Sequence, residues 1–285
     1  MTPRLIADYQ CHNAESPLWH SQQQKLYWTD IPTGRMFRYD PKSDRSEQVY
    51  SGESVGAFTI QEDGSLLLFK ARGAIARWQA GKETVLIPEL PEERETRFND
   101  VIADPQGRVF CGTMPTPQRL GRLYRLDRDG TITQLLDGIG CSNGIAFSRD
   151  RQAMYYTDSP QREIYCFAYD EATGAIGDRQ IYITTPENEG VPDGLTMDAE
   201  GYLWSARWDG SHLFRYNPDG EEVLRLPLPA KKVSSVTFGG KDCTDIFITT
   251  AGGSDRAENG KGAGGVYTIN LGIQGIPEFY SRIAI

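Results

Sequence analysis

Hydrophobic and polar residues alternate in short runs along the whole chain, and no stretch holds the apolar spacing of an amphipathic helix. Met36-Phe37-Arg38-Tyr39, Leu123-Tyr124-Arg125-Leu126, Ile164-Tyr165-Cys166-Phe167, Leu213-Phe214-Arg215-Tyr216 and Val266-Tyr267-Thr268-Ile269 read as half-buried β-strands. Several close on turn sequences such as Asp40-Pro41, Asp127-Arg128-Asp129-Gly130 and Asn217-Pro218-Asp219-Gly220. Upstream of them lie further strands whose first apolar residues are Leu26, Leu66, Val109, Met154, Leu203 and Ile246. Turns such as Asp63-Gly64, Asp104-Pro105-Gln106-Gly107 and Asp198-Ala199-Glu200-Gly201 lead into these strands.

The six anchors recur roughly 40–50 residues apart, the length of a unit holding four strands. This predicts an all-β fold: a six-bladed β-propeller with four-stranded antiparallel blades around a central channel, one domain over residues 1–285. Two stacked sandwiches would need a linker midway, and no shift in composition marks one. Pro3 to Ala7 is expected to add a strand to the last blade and close the ring.

Ten or eleven residues before each anchor lies Glu15, Val55, Asn99, Asn143, Asp193 or Ser235. The first strand of each propeller blade lines the channel, so ring symmetry brings these side chains together at the axis. Glu15, Asn99, Asn143 and Asp193 then form an oxygen-rich set suited to a hard divalent cation. Without a cation, the two carboxylates would repel and one would be driven neutral. Arg97, two residues before Asn99, shares its strand face and is suited to donate hydrogen bonds to substrate oxygens.

With 39 acidic and 30 basic residues the formal charge is −9, which argues against a nucleic-acid or anionic-membrane partner. The longest apolar runs fall short of a membrane span, and Met1 to Gln10 lacks a signal-like apolar stretch, so a cytoplasmic location is expected. Cys11, Cys111, Cys141, Cys166 and Cys243 form no Cys-x-x-Cys pair and read as reduced thiols. Only His12, His20 and His212 are available for a histidine-based site.

Gly140-Cys141-Ser142-Asn143-Gly144 matches the Gly-x-Ser-x-Gly nucleophile elbow of serine hydrolases, and His212 lies downstream. That motif requires a helix after the serine, whereas Ile145-Ala146-Phe147 leads into a turn at Ser148 to Asp150. Gly260-Lys261 lacks the rest of a phosphate loop. The Gly252 to Gly265 stretch reads as a loop with no assigned role.

The chain also resembles the senescence marker protein/gluconolactonase (regucalcin-like) family of sugar-lactone lactonases. The resemblance is carried by Glu15-Ser16-Pro17-Leu18-Trp19, Arg97-Phe98-Asn99-Asp100, Gly112-Thr113-Met114, Ser142-Asn143-Gly144, Pro192-Asp193-Gly194 and Phe238-Gly239-Gly240. It implies that Glu15, Asn143 and Asp193 bind one divalent metal ion (Ca, Zn, Mn or Fe(II)) and that Arg97 and Asn99 contact sugar hydroxyls. The implied activity is hydrolysis of an aldonolactone to the open-chain acid, with Asp193 as both ligand and general base. A non-catalytic metal- or ligand-binding propeller and a phosphotriesterase-like hydrolase are the alternatives. Three departures stand out: Ala14 and Ser16 flank Glu15 where many members have glycines, Val101 replaces a glycine, and Pro115-Thr116-Pro117-Gln118 lacks an acidic residue.

Overall fold

The computed structural model describes residues 2–284, and its strands form six antiparallel sheets arranged as propeller blades. Blade one runs through Ala14–His20, Lys25–Asp30, Arg35–Asp40 and Arg45–Ser51. The inner strands of blades two to six are Val55–Ile60, Phe98–Ala103, Ser142–Phe147, Val191–Met197 and Lys232–Gly239. All six anchors lie on the second strand of a blade and are buried. Arg4–Ala7 pairs with Val266–Asn270, so the first strand in the sequence completes blade six and closes the ring, as expected.

The core is divided into six clusters, each lying between two neighbouring blades. Phe69 of blade two meets Phe98 of blade three edge-on at 5.3 Å, and Trp204 of blade five meets Phe238 of blade six at 5.7 Å. A single sheet can bury its faces only against its neighbours, so the ring as a whole supplies the core. The predicted turns form with aspartate oxygens accepting backbone N–H groups. Asp104 takes those of Gln106 and Arg108 at 2.9 Å, and Asp198 those of Glu200 and Tyr202 at 3.0 Å.

Beyond blade six the chain crosses the lower face, opposite the pocket described below. Gly275 donates to the Cys243 carbonyl at 2.7 Å, Ser281 to Ile60 at 2.8 Å and Arg282 to Gly107 at 2.8 Å, tying the tail to blades six, two and three.

Each inner strand carries a β-bulge at the same register: between Glu15 and Leu18, Val55 and Ala57, Phe98 and Val101, Asn143 and Ile145, Pro192 and Leu195, and Val233 and Ser235. A bulge re-aims a side chain and often adjoins a functional site. The pairing corrects the residue count: Gly56 and Ser234, not Val55 and Ser235, occupy the positions equivalent to Glu15, Asn99, Asn143 and Asp193 in blades two and six. Val55 instead packs in the core between blades one and two. Gly56 has no room for a side chain, because a Cβ there would collide with the Phe98 carbonyl of the next blade. Gly56→Ala should therefore destabilise the fold by about 1–3 kcal/mol, seen as a lower urea midpoint at unchanged slope.

Candidate metal centre

The pocket opens at the upper ends of the inner strands, with a volume of about 350 Å³. Glu15, Arg97, Asn99, Asn143 and Asp193 all line it, so the structure brings together every site residue that the sequence suggested. Asn13, Met114, Cys141, Ser159, Pro160, Val191 and Trp208 complete the wall. None of these seven stands at the repeating register, and the sequence reading had assigned none of them to the site.

A directed chain of hydrogen bonds runs along the pocket. Arg97 Nη1 donates to the Phe98 carbonyl at 2.9 Å and to Asn99 Oδ1 at 2.6 Å. Asn99 Nδ2 donates to the Ser142 carbonyl at 2.8 Å and to Asn143 Oδ1 at 2.5 Å. Asn143 Nδ2 donates to Ser159 Oγ at 2.7 Å, and that hydroxyl donates to the Pro192 carbonyl at 2.6 Å. An arginine can only donate and a carbonyl can only accept, so the two ends fix which atom of each amide faces which neighbour.

The electrostatics are dominated by burial. Asp193 is held well above the ordinary carboxylate range, first by burial and then by the charge of Asp100. Glu15 is raised in the same way, by burial and then by Asp193 and Asp100. Asp100, which is not among the sequence candidates, is itself pushed up to about 7 by burial, a rise that the charge of Arg97 opposes. It faces the channel below the pocket, together with Glu278 from the C-terminal tail, which burial also raises to about 7. Glu15 and Asp100 thus share one guanidinium, while the charge of Asp100 raises Asp193 beside them.

This donor set fits a hard divalent cation. Two carboxylates and one amide oxygen, with no nitrogen or sulfur ligand, suit ions that prefer oxygen. Fully ionised, Glu15, Asp100 and Asp193 against Arg97 leave two negative charges for a cation to balance. Among the described residues, no three His, Cys, Asp or Glu side chains form a metal-binding group.

Ser142 is not set up as a nucleophile. Its Oγ is buried against Gly112 and has no hydrogen-bonding partner among the described residues. His212 is absent from the pocket lining, and its Nδ1 lies 2.6 Å from the Gly210 carbonyl. Cys141 does line the pocket, but burial pushes its thiol up to about 12, far from a reactive thiolate at neutral pH. All five cysteines are free.

Comparison with known proteins gives a consistent picture. The model of the SMP-30/Gluconolactonase/LRE-like region matches residues 13–252. Pentonolactonase XacC of Haloferax volcanii is 43% identical over 294 residues, covering 100% of both chains. Regucalcin of Bos taurus is 33% identical over 285 residues, covering 94% of each chain. The structure of a calcium-binding protein, regucalcin, from Agrobacterium tumefaciens superposes with a TM-score of 0.91 at 23% identity, covering 99% of this chain and 98% of the other. At that identity the superposition establishes the shared fold. Among the described residues, no helix is long and apolar enough to cross a membrane.

The raised carboxylates make the metal-free protein sensitive to pH. A carboxyl with a higher pKa folded than unfolded costs stability once the unfolded chain ionises, and that cost grows with pH up to the folded value and levels off above it. In chelator, Asp193→Asn should therefore raise the melting temperature at pH 8 and change it little near pH 4. Thermal melts across that range, with and without an added divalent cation, check this.

Proposed function

The chain belongs to the SMP-30/Gluconolactonase/LRE-like family, and on that premise we propose that it hydrolyses a sugar-acid lactone to the open-chain acid with the help of one divalent cation. The observation that carries this reading is the gathering of Glu15, Asn143 and Asp193 with Arg97 and Asn99 around a single pocket. The similarity to a pentonolactonase over the full chain makes an aldonolactone the first substrate class to test.

Glu15, Asn143 and Asp193 would hold the cation. A bound cation of this kind supplies Lewis acidity toward a carbonyl oxygen and lowers the pKa of water. Asp193 would take the proton of the attacking water, since a carboxylate beside that water can act as general base. Arg97 and Asn99 sit on one side of the pocket and would hold the lactone by its hydroxyls, keeping its carbonyl carbon within reach of the water. Arg97 suits this role because its guanidinium is charged at any working pH and only part of its donor set is bound within the protein. Met114, Pro160, Val191 and Trp208, which also line the pocket, would exclude bulk water and accept the apolar face of a sugar ring.

The cation is an oxygen-seeking divalent ion, with Ca, Zn, Mn and Fe(II) as the candidates. The substrate partner is a small lactone, and the chemistry of the pocket calls for neither a nucleic acid nor a membrane.

Hydrolysis of pentono- and hexonolactones after chelator treatment, with metals restored singly, tests the reading. Activity should vanish with chelator and return with one ion; activity indifferent to chelator would overturn it. Asp193→Ala should lower kcat/KM by at least about 10²–10⁴-fold, the range for loss of a general base alone. Arg97→Ala should raise KM by roughly tenfold, the loss of one charge-assisted hydrogen bond, with a smaller change in kcat.

A further inference from the structure

We propose that Ser159 is a positioning residue, which aims the amide oxygen of Asn143 at the cation site and braces the Pro192-Asp193 peptide at the same time. The proposal rests on the metal reading above. Ser159 lies just past the second strand of blade four, Ala153–Asp158, and is 6% exposed. Its single hydroxyl makes both short bonds already described, one to a side chain of blade four and one to the backbone of blade five.

The direction of those bonds follows from chemistry. Pro192 has no N–H, so only its carbonyl can meet the hydroxyl, and the one Ser159 proton is committed there. The hydroxyl can then only accept from Asn143, which requires the Nδ2 end of that amide to face Ser159. Oδ1 is left facing the pocket side, where Asn99 also donates to it. Removing the hydroxyl withdraws the oxygen acceptor of the Asn143 Nδ2 end and leaves there only the weak contact to Cys141 Sγ at 3.7 Å. It also leaves the Pro192 carbonyl, one residue from Asp193, without its donor. Two proposed ligands from different blades therefore depend on one oxygen, and second-layer groups of this kind typically govern metal affinity by 10–100-fold.

The test is calorimetric titration of the chelator-stripped full chain with Ca²⁺ and, separately, Mn²⁺. Ser159→Ala should weaken binding by about 10–100-fold while its metal-free melting temperature stays close to that of the parent. Ser159→Thr, which keeps the hydroxyl, should recover most of the affinity. Ser159→Cys fills the same space with a poor hydrogen-bonding group; it should weaken binding as well, and it replaces the alanine variant if that chain fails to fold. In an Asn143→Asp background both ends of the side chain are oxygens, so Ser159→Ala should cost a clearly smaller factor. An equal loss in both backgrounds, or parental affinity in Ser159→Ala, overturns the proposal alone. Absence of binding by the parent chain overturns the metal reading and this proposal together.

Discussion

Negative charge buried at the axis is the constraint on which the rest of the site depends. Glu15, Asp100 and Asp193 approach one another where solvent cannot screen them, and Arg97 is the cation that opposes Asp100 and Glu15. In such surroundings the carboxyls must take up protons or a cation must join them. The remaining polar groups of the pocket are consistent with this. Asn99 and Asn143 add oxygen donors without adding charge, and Ser159 adds a neutral hydrogen-bonding bridge. A further carboxylate in the pocket itself would deepen the repulsion, whereas an additional lysine or arginine would compete with a cation.

The fold creates this concentration of charge through symmetry. Glu15 and Asp193 lie far apart in the sequence, on blades one and five, yet each follows the start of an inner strand at a bulge. The bulge repeats in every blade, including blades two and six, where no site residue stands, so it belongs to the blade and the chemistry is placed on it. In blade two the position is Gly56, packed against the Phe98 carbonyl. In blade six it is Ser234, whose hydroxyl donates to the Ala14 carbonyl at 2.6 Å, next to Glu15. One equivalent position thus admits the backbone of the neighbouring blade, and another anchors the strand carrying a proposed ligand.

The parts legible in the sequence were those that repeat. Alternation gave the strands, the six buried anchors gave the blades, and their common offset pointed to Glu15, Asn99, Asn143 and Asp193. The turn joining the first and second strands differs in length between blades, shorter from Ile60 to Leu66 and longer from Phe238 to Ile246, and a fixed offset cannot follow it, which is why it pointed to Val55 and Ser235 in place of their neighbours. Asp100 was hidden for a different reason: it lies one residue beyond the common offset, and the bulged strand turns it into the channel. Ser159, Pro160 and Trp208 lie past or at the ends of second strands, where length and composition differ between blades. A faint signal did exist for Ser159. Thr29-Asp30 and Thr157-Asp158 close equivalent strands, and both aspartates accept backbone N–H groups of the chain entering the inner strand, from Asn13 at 2.9 Å and from Cys141 at 3.0 Å. In blade four the residues after that pair, Ser159 and Pro160, are thereby held beside the pocket.

The polar and apolar groups of the pocket differ in what they can recognise. Arg97 and Asn99 present hydrogen-bonding groups with fixed direction, whereas Met114, Pro160, Val191 and Trp208 present shape. The loop at Pro115 to Gln118 carries no carboxylate, and Cys141 in the pocket wall offers only a neutral thiol. On the proposed reading, discrimination among sugar hydroxyls would come from Arg97 and Asn99, where a misplaced hydroxyl leaves a buried donor unpaired, a large penalty. Discrimination by size would fall to the apolar groups, where an extra methylene changes affinity by only about 1–3 kcal/mol. A site built this way should distinguish stereochemistry at the hydroxyls near Arg97 more sharply than chain length at the far end of the ring.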